Sequence, residues 1–300
     1  MKNILVTGGK GQLGQAIQFI AADYPDFNFI VTDVEDLDIT NRESLFEWFA
    51  TYNGDIHGLV NCAAYVLADK AESDEERAYR LNLDATLYLA EVCKKYGAQL
   101  IHISTDYVFD GRNYRPYKEE DKPFGRGVYG SSKIQGEQAA IGHNDQTIVI
   151  RTAWLYSQFG INFLKRMQEL MNERPTLNVV FDQAGTPTYA VDLAHAILKT
   201  LQQKFAAPEI NLGGIYHYSN EGVASWYDFA MAIKELINSS CDVRPVTTDQ
   251  YLTPATRPPY SVLNKQKIKS TLGINIPYWR DSLKRCVQYL QPAEVAAVAQ

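Results

Sequence analysis

Short apolar runs alternate with longer amphipathic stretches through the first half of this chain. The runs Asn3 to Thr7, Phe27 to Thr32, His57 to Asn61, Leu100 to Ser104 and Thr147 to Arg151 are rich in Val, Ile, Leu and Phe. They are too short for helices and too continuous for one-sided strands, so they predict strands buried on both faces. Between them, apolar residues recur every three or four positions in Gln15 to Ala22, in a segment from about Asn41, in a long stretch ending near Tyr96, and around Tyr129. Thr40 and Glu43 stand at capping-box spacing at the start of the second of these. Strand and helix in strict alternation predict an α/β protein with a doubly wound parallel sheet.

After Gly160 the pattern becomes irregular. Helices are predicted near Asn162 to Met171, Ala190 to Gln202 and Ser225 to Ile237, the last capped by Ser225, with short strands at Leu177 to Phe181 and Ile215 to Tyr218. The expected organisation is a cofactor domain over 1–152 with 187–217 packing back onto it. A smaller C-terminal substrate-binding lobe would comprise 153–186 and 218–292, and the Ala-rich tail 293–300 is expected to fray.

Composition narrows the class. The 300 residues suit one domain with a second lobe, and 46% hydrophobic with 21% charged residues is globular composition. A net charge of −6 disfavours a general binder of nucleic acid or anionic membrane. Four cysteines without a Cys-x-x-Cys pair suit a reducing compartment and suggest no metal. Met1 to Val6 runs directly into a strand, which leaves no room for a signal peptide. No apolar run approaches the roughly 20 residues that span a bilayer, so the cytoplasm is the expected location.

Candidate chemistry begins at the first turn. Gly8, Gly11 and Gly14 lie between a strand and a helix, where missing Cβ atoms let backbone approach a pyrophosphate and free helix N–H groups face it. That placement makes the first half Rossmann-like. Asp33 ends the next strand, where a carboxylate accepts from ribose hydroxyls; this leans to NADH over NADPH and leaves dual use open. Asp38 and Ile39 could border the adenine or simply solvate a loop. The small residues Ala63 and Ala64 at a strand end would let a flat cofactor lie on the backbone.

A second cluster follows. Leu100 to Ile103 ends in Ser104-Thr105-Asp106-Tyr107, and Tyr129 and Lys133 come later, four residues apart on one helical face. A strand-end hydroxyl could reach the Tyr129 phenol. A lysine ammonium one turn away would bring that phenol down from its ordinary pKa of about 10. Trp154 could stack on a sugar or fill core. Arg257, between prolines, could clamp a phosphate or lie on the surface.

Together these residues resemble the extended short-chain dehydrogenase/reductase superfamily. The strings TGGKGQLG, DVEDLDIT, NCAAY, STDYVFDG, VYGSSK, RTAWLY, FDQAGTPTYA, YHYSNEG and TPATRPPYS are similar to the dTDP-4-dehydrorhamnose reductase family from about Lys2 to Leu290. That resemblance implies transfer of a hydride from a nicotinamide cofactor to the C4 ketone of a nucleotide-linked sugar. It implies Tyr129 as proton donor, Lys133 tuning Tyr129 and holding the nicotinamide ribose, and Thr105 assisting at the substrate. It further implies Asp106, Tyr107 and Trp154 at the sugar, and Gly11, Gln12, Leu13, Asp33, Asp38, Ile39 and Ala63 to Tyr65 along the cofactor.

Two departures stand out. Val66-Leu67-Ala68 replaces a threonine-bearing segment common in the family, which would reshape the nicotinamide or sugar edge. The first helix opens Gly14-Gln15-Ala16 without the glutamate that binds Mg²⁺ at the dimer interface of some members, so no metal is expected; a homodimer stays open. Tyr107 stands where sugar-nucleotide dehydratases carry a glutamate base, which argues against elimination. An epimerase of the same superfamily and a non-catalytic regulatory subunit remain as alternatives.

Overall fold

The computed structural model of the chain describes residues 1–290, and the fraying expected of 293–300 lies outside the described residues. The first half runs Lys2–Thr7 (β1), Gln12–Phe19 (α1), Phe27–Thr32 (β2), Arg42–Thr51 (α2) and Gly58–Asn61 (β3). Next come Ala68–Ala71 (α3), Glu75–Tyr79 (α4), Ala85–Tyr96 (α5), Gln99–Thr105 (β4), Gly127–His143 (α6) and Ile148–Thr152 (β5). Beyond it lie Leu155–Tyr156 (β6), Phe163–Glu173 (α7), Thr176–Val180 (β7), Ala184–Gly185 (β8), Thr188–Tyr189 (β9), Ala190–Ala206 (α8) and Gly214–His217 (β10). Ala224–Ser225 (β11), Trp226–Leu236 (α9), Asp242–Val246 (β12), Gln266–Leu272 (α10) and Trp279–Gln288 (α11) complete the order.

Six parallel strands form the central sheet in the order β10-β5-β4-β3-β1-β2. The chain therefore leaves β1 towards β2 and returns on the other side at β3. Ligands of open α/β sheets bind at the carboxyl ends of the strands at such a reversal. Strand alternation sorts side chains between two cores. Ile4 and Val6 join the core under α1 and α8, whereas Leu5, Leu59 and Leu100 join the one under α2 and α5. All of these are fully buried, so each contributes roughly 1.5–3 kcal/mol relative to exposure. Three small pairs, β6–β9, β7–β12 and β8–β11, stand apart from that sheet.

Local physics decides the element ends. Asn41, not Thr40, caps α2 by accepting from Ser44 N–H, because Thr40 donates its hydroxyl to Asp38 instead. The expected Thr40–Glu43 capping box does not form. Ser225 caps α9 with a reciprocal box to Asp228. Gly97 closes α5 in the left-handed region at φ 71°. The single long helix expected up to Tyr96 is interrupted by a π-helical turn at Arg80–Asp84. That widened turn lets Asn82 reach inward, accepting from Tyr65 N–H at 2.9 Å and donating to Ser132 Oγ at 3.0 Å.

Candidate active site

A cleft of about 1290 Å³ opens at the carboxyl ends of β1 to β5. Gly8, Gly11, Gln12 and Leu13 line it from the glycine turn, and Asp33, Asp38 and Ile39 line it beyond β2. Ala63 and Ala64 face it after β3, Thr105, Asp106 and Tyr107 at the end of β4, Tyr129 and Lys133 from α6, and Trp154 after β5. Val66, Leu67 and Ala68 form part of the rim. Thus two clusters separated by about a hundred residues of sequence share one cavity.

The turn after β1 is tight because its glycines leave no space. A Cβ on Gly8, at φ +67°, would sit 2.7 Å from Ala63 N; one on Gly14 would sit 2.4 Å from Gly8 O. Backbone therefore forms the wall, and no side chain caps the N-terminus of α1. The uncapped N–H groups and their positive dipole end suit the pyrophosphate of a dinucleotide. On the cavity floor Ser104 Oγ, Asp106 Oδ2 and Thr152 Oγ1 are buried without a partner among the described residues. Orphaned polar atoms that line a cleft await a ligand with hydrogen-bonding groups.

Asp33 turns inward. Its Oδ2 accepts from Lys10 N–H and its Oδ1 from Val34 N–H, both at 2.9 Å, so its carboxylate braces the glycine turn as well as facing the cleft. Lys10 Nζ reaches Glu35 at 2.8 Å. Asp38 Oδ1 accepts from the Thr40 amide and hydroxyl, which folds its loop.

Thr105 Oγ1 donates to Asp106 Oδ1 at 3.1 Å and accepts from Tyr107 N–H at 3.2 Å. Burial pushes the Tyr129 phenol up to about 12, against a smaller downward pull from the Thr105 hydroxyl. The Tyr107 ring meets Tyr129 edge-on, with centroids 5.3 Å apart. Asp106 is 2% exposed, and burial raises its carboxyl to about 6.

Lys133 does not sit as the helical spacing suggests. Its amine donates to Ile103 O at 2.7 Å and faces His102 Nε2 at 3.1 Å, and it makes no hydrogen bond to Tyr129 among the described residues. The Ile103 carbonyl and the His102 imidazole, both on β4, draw the side chain under the strand rather than along the helix. Burial lowers the amine to about 8, against a smaller upward pull from Glu137.

Tyr65 and Arg257 stand outside the cleft lining. Tyr65 donates its hydroxyl to Asp74 at 3.0 Å and packs beside Ala71 and Ala78. Arg257 is held by Asp69 of α3. Residues that sequence reasoning missed also line the cavity: Arg77 and Arg80 near the π-turn, Gly160 to Asn162, and Trp226 at the start of α9. Trp226 stacks on Trp154 with centroids 3.6 Å apart and planes 7° apart. Trp154 itself holds a left-handed φ of 47°, unusual for a bulky residue.

With this geometry in place, comparison with known proteins is specific. The model for the RmlD substrate binding domain matches residues 1–291. A dTDP-4-dehydrorhamnose reductase from Aggregatibacter actinomycetemcomitans is 35% identical over 97% of this chain and 100% of its own length. A crystal structure of a dTDP-4-dehydrorhamnose reductase from Clostridium acetobutylicum superposes with a TM-score of 0.91 at 39% identity, covering 97% of this chain and 100% of that one. The Bacillus anthracis reductase, solved in complex with NADP, gives 0.89 at 34% identity over 96% and 100% of the two chains. Among the described residues no helix is long and apolar enough to cross a membrane. The chain belongs to the dTDP-4-dehydrorhamnose reductase family, a family of nicotinamide-dependent oxidoreductases.

Proposed function

We propose that this chain reduces the C4 ketone of dTDP-4-dehydro-β-L-rhamnose to dTDP-β-L-rhamnose with NAD(P)H, the last step of dTDP-L-rhamnose biosynthesis. The observation that carries this reading is the convergence of Thr105, Tyr129 and Lys133 on the cavity that the glycine turn also walls. Gly8, Gly11, Gln12 and Leu13 would hold the cofactor's pyrophosphate, with Ala63 and Ala64 under its flat ring and Lys133 at its ribose. When bound, that cofactor supplies the hydride.

The chain's own residues supply the rest. Thr105 hydrogen-bonds the ketone oxygen and orients it. Tyr129 then delivers the proton that turns the developing alkoxide into a hydroxyl, so one hydride and one proton account for the added C–H and O–H. A phenol held near 12 is fully protonated at neutral pH, which is the form a donor needs. Asp106, Tyr107 and Trp154 would position the sugar, with residues 153–186 and 218–290 as the lobe that covers it.

At the adenosine end, the carboxylate of Asp33 favours NADH. Against that, both its oxygens accept from backbone N–H groups, and Lys10 stands beside it. The Bacillus anthracis relative was solved with NADP. We therefore assign the chain to use of both cofactors rather than NADH alone.

The test is absorbance at 340 nm with the purified protein, the keto-sugar nucleotide, and NADH or NADPH in parallel. Sugar-dependent oxidation is expected with both, falling roughly 10²–10⁴-fold in Tyr129→Phe. Tyr129→Phe that retains most of its turnover while still binding cofactor would remove Tyr129 from the role of donor. Flat traces from wild-type protein that binds cofactor would favour an epimerase or a regulatory subunit instead.

A further inference from the structure

A buried polar chain runs behind the catalytic face, from the glycine turn to Lys133. Thr7 Oγ1 donates to Asn61 Oδ1 at 2.8 Å, and Ala63 N–H donates to the same oxygen at 3.2 Å. Asn61 Nδ2 lies 3.0 Å from His102 Nδ1, and His102 Nε2 lies 3.1 Å from Lys133 Nζ. Asn61 and His102 are both fully buried and Lys133 is 1% exposed, so water cannot mend a mismatched contact.

Donor and acceptor roles along this chain are forced in sequence. A backbone N–H can only donate, so Ala63 fixes Asn61 with Oδ1 towards itself and Nδ2 towards His102. An amide NH₂ also only donates, so His102 Nδ1 must present its lone pair. The neutral ring then carries its hydrogen on Nε2, pointing at Lys133. An ammonium has no lone pair with which to meet that N–H. A neutral amine has one, and it keeps two N–H donors, of which one serves Ile103 O at 2.7 Å.

We propose that His102 is a positioning residue that lowers the proton affinity of Lys133 in the cofactor-free protein, through a tautomer imposed by Asn61 and the Ala63 backbone. Charges around the amine do not contradict this. Glu137, one turn further along α6, has both oxygens engaged by buried Arg151 at 2.9 and 2.7 Å. From β4 the other facing groups are His102 itself and, past Thr105, Asp106; from α6 there is the Tyr129 phenol. Burial independently disfavours the charged lysine, and burial is also the first cause that keeps His102 well below its ordinary range, so the ring is neutral.

The consequence for chemistry rests on the reductase reading. The cationic form of Lys133 draws the Tyr129 phenol towards ionisation, so a lowered proton affinity at the amine lessens that pull and favours a phenol loaded for delivery to a ketone. Protonation of the amine would then be a separate, pH-dependent event and not a fixed property of the site.

The protonation state can be read directly, without turnover. Chain labelled with ¹³C at lysine Cε, free of cofactor, would be titrated by NMR, with the Lys133 signal identified by its loss in Lys133→Met. Wild-type Lys133 is expected to reach half-protonation near 8. In Asn61→Asp a carboxylate oxygen faces His102 Nδ1, reverses the tautomer and lets Nε2 accept; the midpoint should rise by about one pH unit or more. His102→Gln, whose carbonyl can accept from an ammonium, should move it the same way. A wild-type midpoint in the ordinary lysine range near 10.5 overturns the proposal with no variant needed. An unchanged low midpoint in whichever variants fold assigns the depression to burial alone, and overturns it too. Since the readout is the amine itself, an inactive but correctly titrating protein would refute the reductase reading and leave this one standing.

Discussion

The Arg257 guanidinium grips the Asp69 carboxylate at two points across 188 residues of chain, Nη1 to Oδ1 at 3.2 Å and Nη2 to Oδ2 at 2.7 Å. Ala255 N–H adds a third bond to Oδ1 at 3.0 Å. The contact straps the proline-rich loop 253–259 to α3, directly beside the Val66 to Ala68 rim of the cleft. Asp69 is held below the usual carboxylate range chiefly by Arg257.

Both partners keep solvent exposure, so the ion pair is worth about 0.2–1 kcal/mol and no more. If Arg257 acts by closing the loop, Arg257→Ala and Asp69→Asn should weaken nucleotide-sugar affinity alike, by up to about 5-fold, with cofactor affinity unchanged. Equilibrium binding of the product nucleotide sugar to both variants measures this. A loss in Arg257→Ala far beyond that in Asp69→Asn would place the guanidinium on the ligand's diphosphate, as the sequence pattern allowed.

Gly14→Ala tests the cradle. The new methyl would press on Gly8 O at 2.4 Å and Gly9 Cα at 2.7 Å, both backbone atoms that cannot swing aside. Destabilisation of about 1–3 kcal/mol is expected, as for overpacked cores. Because the turn itself must shift, cofactor affinity should fall further than thermal stability does. A melting curve and a fluorescence titration with NADPH, run side by side, decide it. Unchanged affinity in a folded variant would mean that this turn does not hold the cofactor.

The alternating sheet was legible because its strands are continuous apolar runs and the turn after β1 carries Gly8 and Gly14, where a Cβ would strike backbone. So was the Thr105, Tyr129 and Lys133 cluster, since strand ends and helical spacing fix where side chains start. Where they finish is another matter. Helical spacing put Lys133 beside Tyr129, yet a buried carbonyl and imidazole on β4 capture its amine. His102 sits within an apolar run, and its periodicity resembles that of any core residue. Trp226 lies 72 positions beyond Trp154 on a different element, and only tertiary packing reveals the pair. The Thr40 capping box failed because Asp38 offered the hydroxyl a closer acceptor.

Asp106 links the site to pH. Its folded-state carboxyl ionises at about 6, against an ordinary value of 3.8, because burial penalises the charge. The folded state therefore binds a proton more tightly than the unfolded chain. The associated stability is fully present below about 3.8 and is lost as pH rises through 6. At pH 7 the buried carboxylate costs roughly 2–3 kcal/mol. Asp106→Asn should thus melt higher than wild type at pH 7, with the gap closing as pH falls towards 4. Thermal unfolding of the two proteins across that range measures it. A gap that is constant with pH would show that Asp106 ionises normally.

The Trp154–Trp226 stack holds a strained backbone in place. A bulky residue at φ 47° is costly, by about 1–2 kcal/mol, and Gly185 makes room for the indole, since a Cβ there would lie 2.5 Å from Trp154 Cε2. The stack offsets part of that cost, with aromatic pairs contributing about 0.5–1.5 kcal/mol beyond their burial. In a double-mutant cycle, Trp154→Leu and Trp226→Leu should therefore couple by that amount in unfolding free energy. Trp226→Leu alone should free the Trp154 ring from its fixed plane. If the stacked indole is the platform for the sugar, KM for the nucleotide sugar should rise while KM for NADPH stays constant. Additive stability effects with both KM values unchanged would make the pair a packing feature of the cleft wall and remove Trp154 from substrate recognition.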